Sequence, residues 1–555
     1  MKRAFLTKLA TVLLGSAGFL LSCNAQTPSA RGGYLLPSGY LSTQGAQIVD
    51  SNGTPVRIAS VGWAGTDGPA GSVLNGLGSA SYKTILDSIK EDGFNTVRIP
   101  WSNVGLPAQP ANTQKLGNID FKLNSDLQGL TTLQIFQKIV AYCGQIGLKV
   151  IFDHHTDEGS WGQQPNGLWI DKGPGTDGTD GAHNVGTIDA AKFLEDWVMF
   201  AKTFAGNATV IGFDIDNEPT SVGHINWGKG GPTDILAMYE TVGNAIQAVN
   251  PDALIIVEGP QSYSLPSADS GMDPTIPAPA GDLTAVISNP VVLNIPNKVL
   301  YSVHEYPKEI SDWAIDSGPN FVAQMNKAWG FLVAQNIAPV WIGEMGSSMT
   351  LADSQAWAAT LLPYMNGQYA DQGGPAFTGN QQPVSGSWWL AGDETGEPPD
   401  GIQSAWGLGN YRPEQQCITD QMLFRPAGVT PAAPLTLYAY LMQTRTSGTI
   451  QWVATLRLGF DGLIANGVSF PRSKVYEFTI KAYGSRAGGA WPNMAVRIDG
   501  TTMKNLSVHT SNLSTYTAKL SVSKGYHQVA IAFTNDYHGG PTQDRNLYVY
   551  SLGIQ

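Results

Sequence analysis

Two short stretches decide the fold of this 555-residue chain: residues 210–221, VIGFDIDNEPTS, and residues 339–348, PVWIGEMGSS. Each is an apolar run that ends in a glutamate, Glu218 in the first and Glu344 in the second. Apolar runs of this length are typical of strands buried on both faces of a parallel sheet. Because the two glutamates end strands that are far apart in the sequence, we predict a (β/α)8 barrel, whose active site lies at its C-terminal face.

The two glutamates also suggest a reaction. Hydrolysis of a glycosidic bond with retained configuration needs one carboxyl group to protonate the leaving oxygen and a second, about 5–5.5 Å away, to attack the anomeric carbon. The acid must hold its proton near neutral pH, and both burial and a neighbouring carboxylate raise the pKa of such a group. The structural alternative is that each glutamate only caps a barrel strand.

Residues 34–425 alternate strand-like runs with amphipathic, helix-like segments. Eight strands separated by helices match the strand count and the usual length of one barrel. The candidate strands are RIASVGW (57–63), NTVRIPW (95–101), KVIFDHH (149–155), VIGFDIDNEP (210–219), LIIVEGP (254–260), VLYSVHEYP (299–307), PVWIGEMG (339–346) and SGSWWLAGD (385–393). We therefore predict an α/β catalytic domain over residues 34–425.

The composition argues against some partners and favours others. A net charge of −12 argues against nucleic acid, since binding a polyanion needs a basic surface. Charged residues make up only 14% of the chain, which carries 15 tryptophans. This combination suits a neutral polymer such as a polysaccharide, whose sugar faces stack on aromatic rings.

The N-terminus resembles an export signal. Three basic residues within the first eight precede an apolar stretch from residue 9 to residue 21, which is too short to span a membrane. We predict a signal peptide over residues 1–25. The sequence LLSC also resembles a bacterial lipobox, which would make Cys23 the lipidated first residue, whereas ordinary cleavage near Ala25 is the alternative. We expect a secreted protein or an outer-surface lipoprotein, with membrane contact only through that anchor.

Two cysteines remain after such processing, Cys143 and Cys417. Cys143 lies on a predicted amphipathic helix, where a buried free thiol is the usual explanation. A disulfide between the two is compatible with export, although no spacing pattern indicates one.

The C-terminal part has a different periodicity. A Pro/Ala-rich stretch at residues 426–434, PAGVTPAAP, is typical of a short linker. Beyond it, short runs of alternating polarity joined by turns replace the helical pattern. We predict an all-β sandwich over residues 435–555.

The barrel region resembles glycoside hydrolase family 5, and within it the bacterial endo-β-1,4-glucanases typified by the Acidothermus catalytic domain. The motifs that carry the resemblance are PVRIASVGW, DLQGLTTLQ, IVAYCGQIGLKVIFDHH, VIGFDIDNEP, PVVLNIPNKVLYSVHEY, QNIAPVWIGEMG and the Gly392-Asp393, Thr395-Gly396 stretch. The resemblance implies a retaining double displacement that needs no cofactor. It also implies a polysaccharide substrate, cellulose or a related β-glucan.

Site residues follow from the resemblance position by position. Glu218 is expected to be the general acid/base and Glu344 the nucleophile. Asn217 is expected to bond the sugar 2-hydroxyl, and Arg98 to keep Glu344 ionised. His155 fits the family's Asp-x-His pattern. Its neighbour His154 would point to the opposite side of the strand, and no third ligand at metal-site spacing accompanies the two histidines.

Further residues are expected to bind the substrate. His304 and Tyr306 stand two apart, hence on one side of their strand, and in the family such a pair lines the cleaved subsite. Trp388 or Trp389 would stack under that sugar. The chain reads SWWLAG where relatives have Trp-x-Trp, so the choice stays open. Trp63 is a further subsite candidate, with core packing as its alternative. A third strand-end carboxylate, Glu258, is expected to support the site by hydrogen bonding.

The C-terminal domain contains NDYHGGPTQDRNLYVYSLGIQ, residues 535–555. This segment resembles the calcium-dependent carbohydrate-binding module families 36 and 60, which bind xylan and related glycans. Asp536 and Asp544 are the expected Ca²⁺ ligands, since this ion prefers carboxylate and carbonyl oxygens. Tyr537 and Trp491 could offer rings to a sugar. A plain sandwich with solvated aspartates is the alternative.

Three functions compete at this point. The first is a retaining endo-β-1,4-glucanase with an attached glycan-binding module. The second is the same barrel acting on mannan, xylan or xyloglucan, because one fold and one chemistry serve many substrates. The third is a non-catalytic carbohydrate-binding surface protein, against which the presence of both Glu218 and Glu344 argues.

Overall fold

The structure, a computed structural model, describes residues 36–555. Positions outside the description are 92, 109–118, 160–163, 165, 172–185, 221–223, 263–265, 276, 312–317, 348–350, 393–434, 440–441, 443, 447–448, 452–454, 471 and 541–542. The predicted signal peptide with Cys23, the linker at 426–434, Cys417 and the stretch from Asp393 to Gly396 all lie outside the described residues.

The first domain is a closed barrel of eight parallel strands, as predicted. Going around the barrel, the strands are β4 (Ala59–Gly62), β5 (Thr96–Ser102), β6 (Lys149–Thr156), β7 (Val210–Asp214), β8 (Leu254–Glu258), β9 (Val299–Glu305), β10 (Val340–Met345) and β11 (Ser385–Trp388). All eight candidate strands form, in sequence order. Nearly every residue of these strands is buried, which explains why they are continuous apolar runs and do not alternate.

Helices cover the barrel on the outside. They are α1 (Tyr82–Glu91), α2 (Thr132–Ile146), α3 (Ala190–Thr203), α4 (Ile235–Val249), α5 (Gly318–Met325), α6 (Phe331–Ala334) and α7 (Ala352–Met365), with a π-helical turn at Asn326–Gly330. Local sequence sets several of their ends. Thr131 and Gln134 form a capping box at the start of α2, and Gly147 ends it at φ +81°. Asp189 and Asp234 cap α3 and α4.

The N-terminal end of the barrel has a floor. A small antiparallel sheet of β1 (Ser42–Gln44), β2 (Gln47–Val49) and β3 (Pro55–Val56) lies there. Apolar side chains from residues 36–58 share a buried cluster with side chains from inside the barrel. We call residues 36–49 the floor segment.

Two buried lysines hold the floor segment in place. Lys149 Nζ donates to the carbonyl oxygens of Ser38, Gly39 and Ala208, at 3.2, 3.2 and 2.6 Å. Lys298 Nζ donates to the carbonyl oxygens of Leu41 and Asp252, both at 2.8 Å. Burial lowers the pKa of both lysines, that of Lys149 to about 8.

The second domain is a β-sandwich, as predicted. One sheet pairs β14 (Thr449–Gln451), β15 (Thr455–Leu458), β24 (Leu547–Ile554), β17 (Lys474–Gly484) and β20 (Ser514–Val522), with β12 (Leu435–Tyr438) on β24. The other pairs β13 (Thr444–Arg445), β16 (Gly462–Phe470), β21 (Gly525–Phe533), β18 (Asn493–Ile498) and β19 (Thr501–Ser507). A hairpin of β22 (Tyr537–His538) and β23 (Asp544–Arg545) stands apart. One apolar cluster fills the space between the two sheets.

Cys143 is a buried free thiol on α2, as expected, and burial raises its pKa. Among the described residues, no helix has both the length and the apolar character that crossing a membrane requires.

Candidate active site

Strand ends bring the expected barrel residues together. Arg98, His155, His304 and Glu344 lie on β5, β6, β9 and β10, while Asn217 and Glu218 follow β7 and Tyr306 follows β9. Apart from Arg98, which lies deeper in the barrel on β5, they are at or near the C-terminal ends of their strands. Hydrogen bonds and ion pairs connect these seven residues into one network.

The two glutamates face each other across the barrel. One carboxylate oxygen of Glu218, one of Glu344 and a ring nitrogen of His304 all lie within 4.8 Å of one another. This spacing leaves no room for a water molecule beside a bound sugar and matches the geometry of retention. Glu344 is nearly buried, with 6% of its side chain exposed, whereas 16% of the Glu218 side chain is exposed.

The backbone at Glu218 is strained. Glu218 has φ +51°, a left-handed conformation that non-glycine residues adopt rarely and mostly where the surroundings enforce it. Its N–H donates to Glu258 Oε2 at 2.9 Å, and the N–H of Asn217 donates to the His154 carbonyl at 2.9 Å. These two bonds fix the turn that points the Glu218 carboxyl group into the cleft.

Two donors hold the carboxyl group of Glu344. Arg98 Nη1 donates to Glu344 Oε1, and the Tyr306 hydroxyl donates to Oε2 at 2.7 Å. Charge-assisted bonds of this kind stabilise the ionised carboxylate. Burial, together with the charge of Glu344, keeps the Tyr306 hydroxyl protonated by raising its pKa. Both carboxyl oxygens of Glu344 are therefore held in place by hydrogen bonds.

Arg98 is the buried centre of charge under the cleft. Its Nη2 lies 3.0 Å from Asp153 Oδ1, 3.1 Å from Asp214 Oδ2 and 2.9 Å from Asn217 Oδ1. Burial alone would lower the pKa of Arg98, but the surrounding carboxylates raise it well above its ordinary value. Burial raises the pKa of Asp214 to about 7 despite the attraction of Arg98.

His155 connects two members of the network. Its Nδ1 lies 2.6 Å from Asp153 Oδ2, and its Nε2 lies 3.3 Å from Asn217 Nδ2. Burial favours the neutral ring, but Asp153 outweighs burial and raises the pKa of His155 to about 9. As expected, His154 points the other way, and its ring packs on Trp101 and Phe193 outside the barrel.

Glu258 supports the site by hydrogen bonding, as expected. Its Oε2 accepts the N–H of Glu218 and lies 3.3 Å from His304 Nε2, while His304 Nδ1 lies 2.9 Å from Glu218 Oε1. Burial raises the pKa of Glu258 to about 8. Burial opposes a charge on His304, but Glu258, Glu344 and Glu218 together raise its pKa to about 10.

The three tryptophans that were expected to bind substrate differ in their exposure. Trp389 is partly exposed, and its ring stacks on His155 with a 5.7 Å centroid distance and an 11° interplanar angle. It also lies against Gly62, where a Cβ atom would come within 2.4 Å of the ring. Trp388 and Trp63 are fully buried and have no surface to offer a sugar, so for them we replace the substrate-binding expectation with core packing. Trp388 packs near Trp357, and Trp63 donates to the Asn75 carbonyl.

Two sets of side chains in the cleft have the spacing of a metal site. They are Asp153, His155 and Glu344, and Glu218, His304 and Glu344. In both sets the histidine lies beside carboxylates, which raise its pKa.

The C-terminal domain keeps its candidate carboxylates in a different setting. Asp544 Oδ2 accepts from Arg457 at 2.7 Å and from Asn546 at 2.9 Å, and Oδ1 lies 3.1 Å from His538. Asp536 has a buried Oδ1 without a hydrogen-bond partner. In the part of this domain that the structure describes, no cluster of three or more His, Cys, Asp or Glu side chains has metal-site spacing.

Models of known families match both domains. A model described as Cellulase (glycosyl hydrolase family 5) matches residues 49–392. A second, described as a Ca-dependent, xylan-binding carbohydrate-binding module, matches residues 477–555. The first match spans the whole barrel, and the second covers most of the sandwich.

Individual proteins resemble the barrel region. An endoglucanase of Paenibacillus polymyxa is 34% identical over 334 residues, which are 59% of this chain and 77% of that protein. The structure of a hyperthermophilic endocellulase from Pyrococcus horikoshii superimposes with a TM-score of 0.56 at 26% identity, covering 70% of this chain and 99% of the other. A complex of a variant of that endocellulase with cellotetraose gives a TM-score of 0.55 at 25% identity, covering 70% and 100%.

Proposed function

The chain belongs to glycosyl hydrolase family 5, and from that premise we propose that its barrel is a retaining endo-β-1,4-glucanase. The observation that carries the proposal is the pair of carboxyl groups, Glu218 and Glu344, whose oxygens lie within 4.8 Å at the C-terminal face of the barrel. The substrate is a β-1,4-linked glucan, cellulose or a related polymer. No metal or organic cofactor is needed, because two carboxyl groups supply both the acid and the nucleophile.

The first step forms a covalent intermediate. Glu344 attacks the anomeric carbon while Glu218 donates its proton to the leaving glycosidic oxygen, so one chain end departs and the other becomes an ester of Glu344. Arg98 and Tyr306 keep Glu344 ionised and aimed before the attack. As the negative charge leaves Glu344, their bonds to it weaken.

The second step releases the sugar. Glu218, now ionised, takes a proton from a water molecule that attacks the same anomeric carbon and restores Glu344. His304, protonated at neutral pH and 2.9 Å from Glu218, stabilises the ionised acid/base between the steps. Asn217, positioned by Arg98 and His155, binds the 2-hydroxyl of the sugar. Trp389 supplies the aromatic surface beside His155.

Anomeric configuration is the direct test of this mechanism. Purified protein is mixed with cellopentaose, and proton NMR follows the anomers of the earliest products. We expect the β-anomer first, because two inversions restore the starting configuration. The α-anomer appearing first would contradict the covalent route. Parallel digests of cellulose, mixed-linkage glucan, mannan and xylan rank the substrates.

Xylan hydrolysis is the second candidate function, and one observation favours it. The family model that matches residues 477–555 is described as xylan-binding. A binding module often targets the polymer that its enzyme cleaves, although it also serves to bring an enzyme to a mixed cell-wall surface. A product profile dominated by xylo-oligosaccharides would favour this candidate over the glucanase.

The sandwich domain is proposed to bind a glycan with the help of Ca²⁺. Asp536 and Asp544 are the proposed ligands, and sugar hydroxyls would fill the remaining positions of the ion. Asp536 has a free buried oxygen for this purpose. Asp544 is engaged with Arg457 and His538, so the ion must compete with these two side chains for one carboxylate.

Export is proposed from the sequence alone. The basic start, the apolar stretch and the LLSC sequence indicate secretion or attachment to the outer surface through a lipid on Cys23. Metabolic labelling with a radioactive fatty acid distinguishes the two. Label in the wild-type protein that is lost in Cys23→Ser indicates the anchor, and an unlabelled protein in the medium indicates free secretion.

A further inference from the structure

Three polar side chains at one corner of the sandwich form a hydrogen-bonded chain. His527 Nδ1 lies 2.6 Å from Asp499 Oδ2, and His527 Nε2 lies 2.9 Å from the hydroxyl oxygen of Ser523. These are the contacts of a Ser-His-Asp triad, in which a carboxylate orients an imidazole and the imidazole takes the proton of a serine. Because such triads occur on unrelated folds and in different orders along the chain, they are recognised by geometry and not by sequence position.

Two tight turns bring the three residues together. Ser523 and Lys524 connect β20, which belongs to one sheet, to β21, which belongs to the other. Asp499 lies in the two-residue turn between β18 and β19, where it has φ +48°. Since β18 pairs with β21, this turn lies beside His527, near the start of β21.

The carboxylate and the imidazole are both held in place. The N–H of Gln528 donates to Asp499 Oδ1 at 2.8 Å, and the N–H of Asp499 donates to the Gln528 carbonyl at 2.9 Å. The His527 side chain is only 16% exposed, and its ring packs on the buried ring of Phe470 with 5.8 Å between the centroids. An ionised carboxylate can only accept, so we assign the ring hydrogen to Nδ1, which leaves the lone pair of Nε2 to face the Ser523 hydroxyl.

Backbone groups beside Ser523 suit the charges that develop in acyl transfer. Lys524 follows Ser523, and its N–H donates to the Ser473 hydroxyl oxygen at 2.8 Å. The carbonyl oxygen of a substrate can replace that hydroxyl as the acceptor, as it does at the backbone N–H groups of an oxyanion hole. The Ser523 carbonyl oxygen lies 3.2 Å from His527 Nε2, so it can accept the ring hydrogen once the ring is protonated.

We infer that Ser523, His527 and Asp499 form a second hydrolytic site, with carboxylic esters of small acyl groups as its substrates. Ser523 Oγ bonds to the acyl carbon while its proton passes to His527 Nε2. The ester C–O bond then breaks, and the same proton moves to the oxygen of the departing alcohol. A water molecule attacks the acyl-serine and gives one proton to His527, which returns it to Ser523 as the carboxylic acid leaves.

The position of the site indicates which esters can reach it. Ser523, Lys524 and Ser473 are all exposed, so an ester carried by a large molecule such as a polymer has access as well as a small one. An exposed turn offers little apolar surface to a long acyl chain, which favours short acyl groups. The inference does not depend on the glycosidase activity of the barrel or on glycan binding by the sandwich.

Hydrolysis of p-nitrophenyl acetate by the full-length protein tests the inference. We expect Ser523→Ala and His527→Gln each to lower kcat/KM about 10²-fold or more, because each removes a member of the proton-transfer path. Ser521→Ala is the matched control, since Ser521 is an exposed serine on β20, two residues before Ser523. A fluorophosphonate reagent should label Ser523 with release of fluoride, and mass spectrometry of the labelled peptide identifies the residue.

The outcomes decide between catalysis and a structural role. Wild-type protein that stays unlabelled and hydrolyses the ester no faster than Ser523→Ala overturns the inference. A lower melting temperature of Ser523→Ala with unchanged ester hydrolysis also overturns it and assigns the three side chains to holding the turns together. Hydrolysis of cellopentaose should be equal in wild-type protein and in all three variants, because the site lies outside the barrel.

Discussion

The two domains hold their important carboxylates in opposite ways. In the barrel, Arg98 and Asp153 are fully buried, Glu344 is 6% exposed, and each charge has partners on several strands. In the sandwich, Asp544 is 22% exposed and its partner Arg457 is 35% exposed. A nucleophile needs a fixed direction and a water-free setting, whereas a carboxylate that takes up an ion from solution must stay accessible and exchangeable. The difference in burial thus reflects the difference in proposed task.

The largest expected effect falls on the buried pair. Glu344→Gln should abolish hydrolysis of β-glucan, since no other group can form the covalent intermediate, and Glu218→Gln should lower the rate by about 10²–10⁴-fold. An aryl cellobioside with a good leaving group separates the two roles. It needs little acid assistance, so Glu218→Gln should still release the aryl group in a burst while Glu344→Gln should not. Near-wild-type activity of both variants would contradict the assignment.

The carboxylates of the sandwich should respond to chelation, and those of the barrel should not. We expect EDTA, or Asp536→Ala or Asp544→Ala, to remove retardation of the full-length protein in glycan gels. Hydrolysis of cellopentaose by the same samples should be unchanged, because the barrel chemistry uses carboxyl groups alone. Glycan binding that survives EDTA would return Asp536 and Asp544 to the role of solvated surface residues.

Trp388 is buried in the core and its neighbour Trp389 lies at the cleft, so substitutions of the two should have different effects. Trp388→Ala should destabilise the protein by about 3–5 kcal/mol, the usual cost of removing a fully buried large aromatic side chain. Trp389→Ala should leave stability nearly unchanged and raise KM for cello-oligosaccharides. Thermal unfolding and steady-state kinetics of the two variants are the measurements. A stable Trp388→Ala variant with a raised KM would reverse the assignment of the two rings.

The smallest expected effect is that the stability of the barrel and the stability of the sandwich depend on pH in different ways. Four carboxyl groups of the barrel have pKa values that burial raises to about 7 or 8: Asp214, Asp216, Glu258 and Glu305. Between about pH 4.5 and 8 the unfolded chain releases these protons while the folded barrel retains them, so stability falls as the pH rises. The raised pKa values of His155 and His304 act in the same direction above pH 6.5.

The sandwich should show the opposite slope at acid pH. A hydrogen bond from His527 lowers the pKa of Asp499, and bonds from Asn546, His538 and Arg457 outweigh burial and lower that of Asp544. Their contribution is present above about pH 3.8 and is lost as the pH falls. Calorimetry from pH 3 to 8 should therefore resolve two unfolding transitions whose midpoint temperatures change with pH in opposite directions. Two midpoints that change in parallel would contradict this difference between the domains.

The sequence predicted the barrel well because its strands are buried on both faces. Their apolar runs and strand-end glutamates are local signals, and all eight strands lie where these signals placed them. The core network of Arg98, His155, Asn217, His304 and Tyr306 was anticipated from family motifs. The structure brings these residues together with Glu218 and Glu344 in one cleft.

Long-range geometry accounts for what the sequence did not give. Trp388 and Trp389 are neighbouring residues of the same type, so the sequence does not show which ring lies at the cleft. Strand β11 ends at Trp388, and the ring of Trp389 packs closely on Gly62, which places Trp389 at the cleft. Glu258 carries the same strand-end signature as the catalytic candidates. Sequence analysis predicted that Glu258 forms supporting hydrogen bonds, but its partner, the N–H of Glu218, and the φ of +51° at Glu218 appear only in the structure.

The floor segment determines at which end of the barrel the preceding polypeptide joins the catalytic domain. Residues 36–49 cross the N-terminal end of the barrel, anchored by Lys149 and Lys298, while the cleft opens at the opposite end. Polypeptide ahead of residue 36 therefore joins the domain on the side away from the substrate. If the protein is attached to a support through that end, its cleft faces away from the support. Such an attachment leaves the polymer free to reach the cleft.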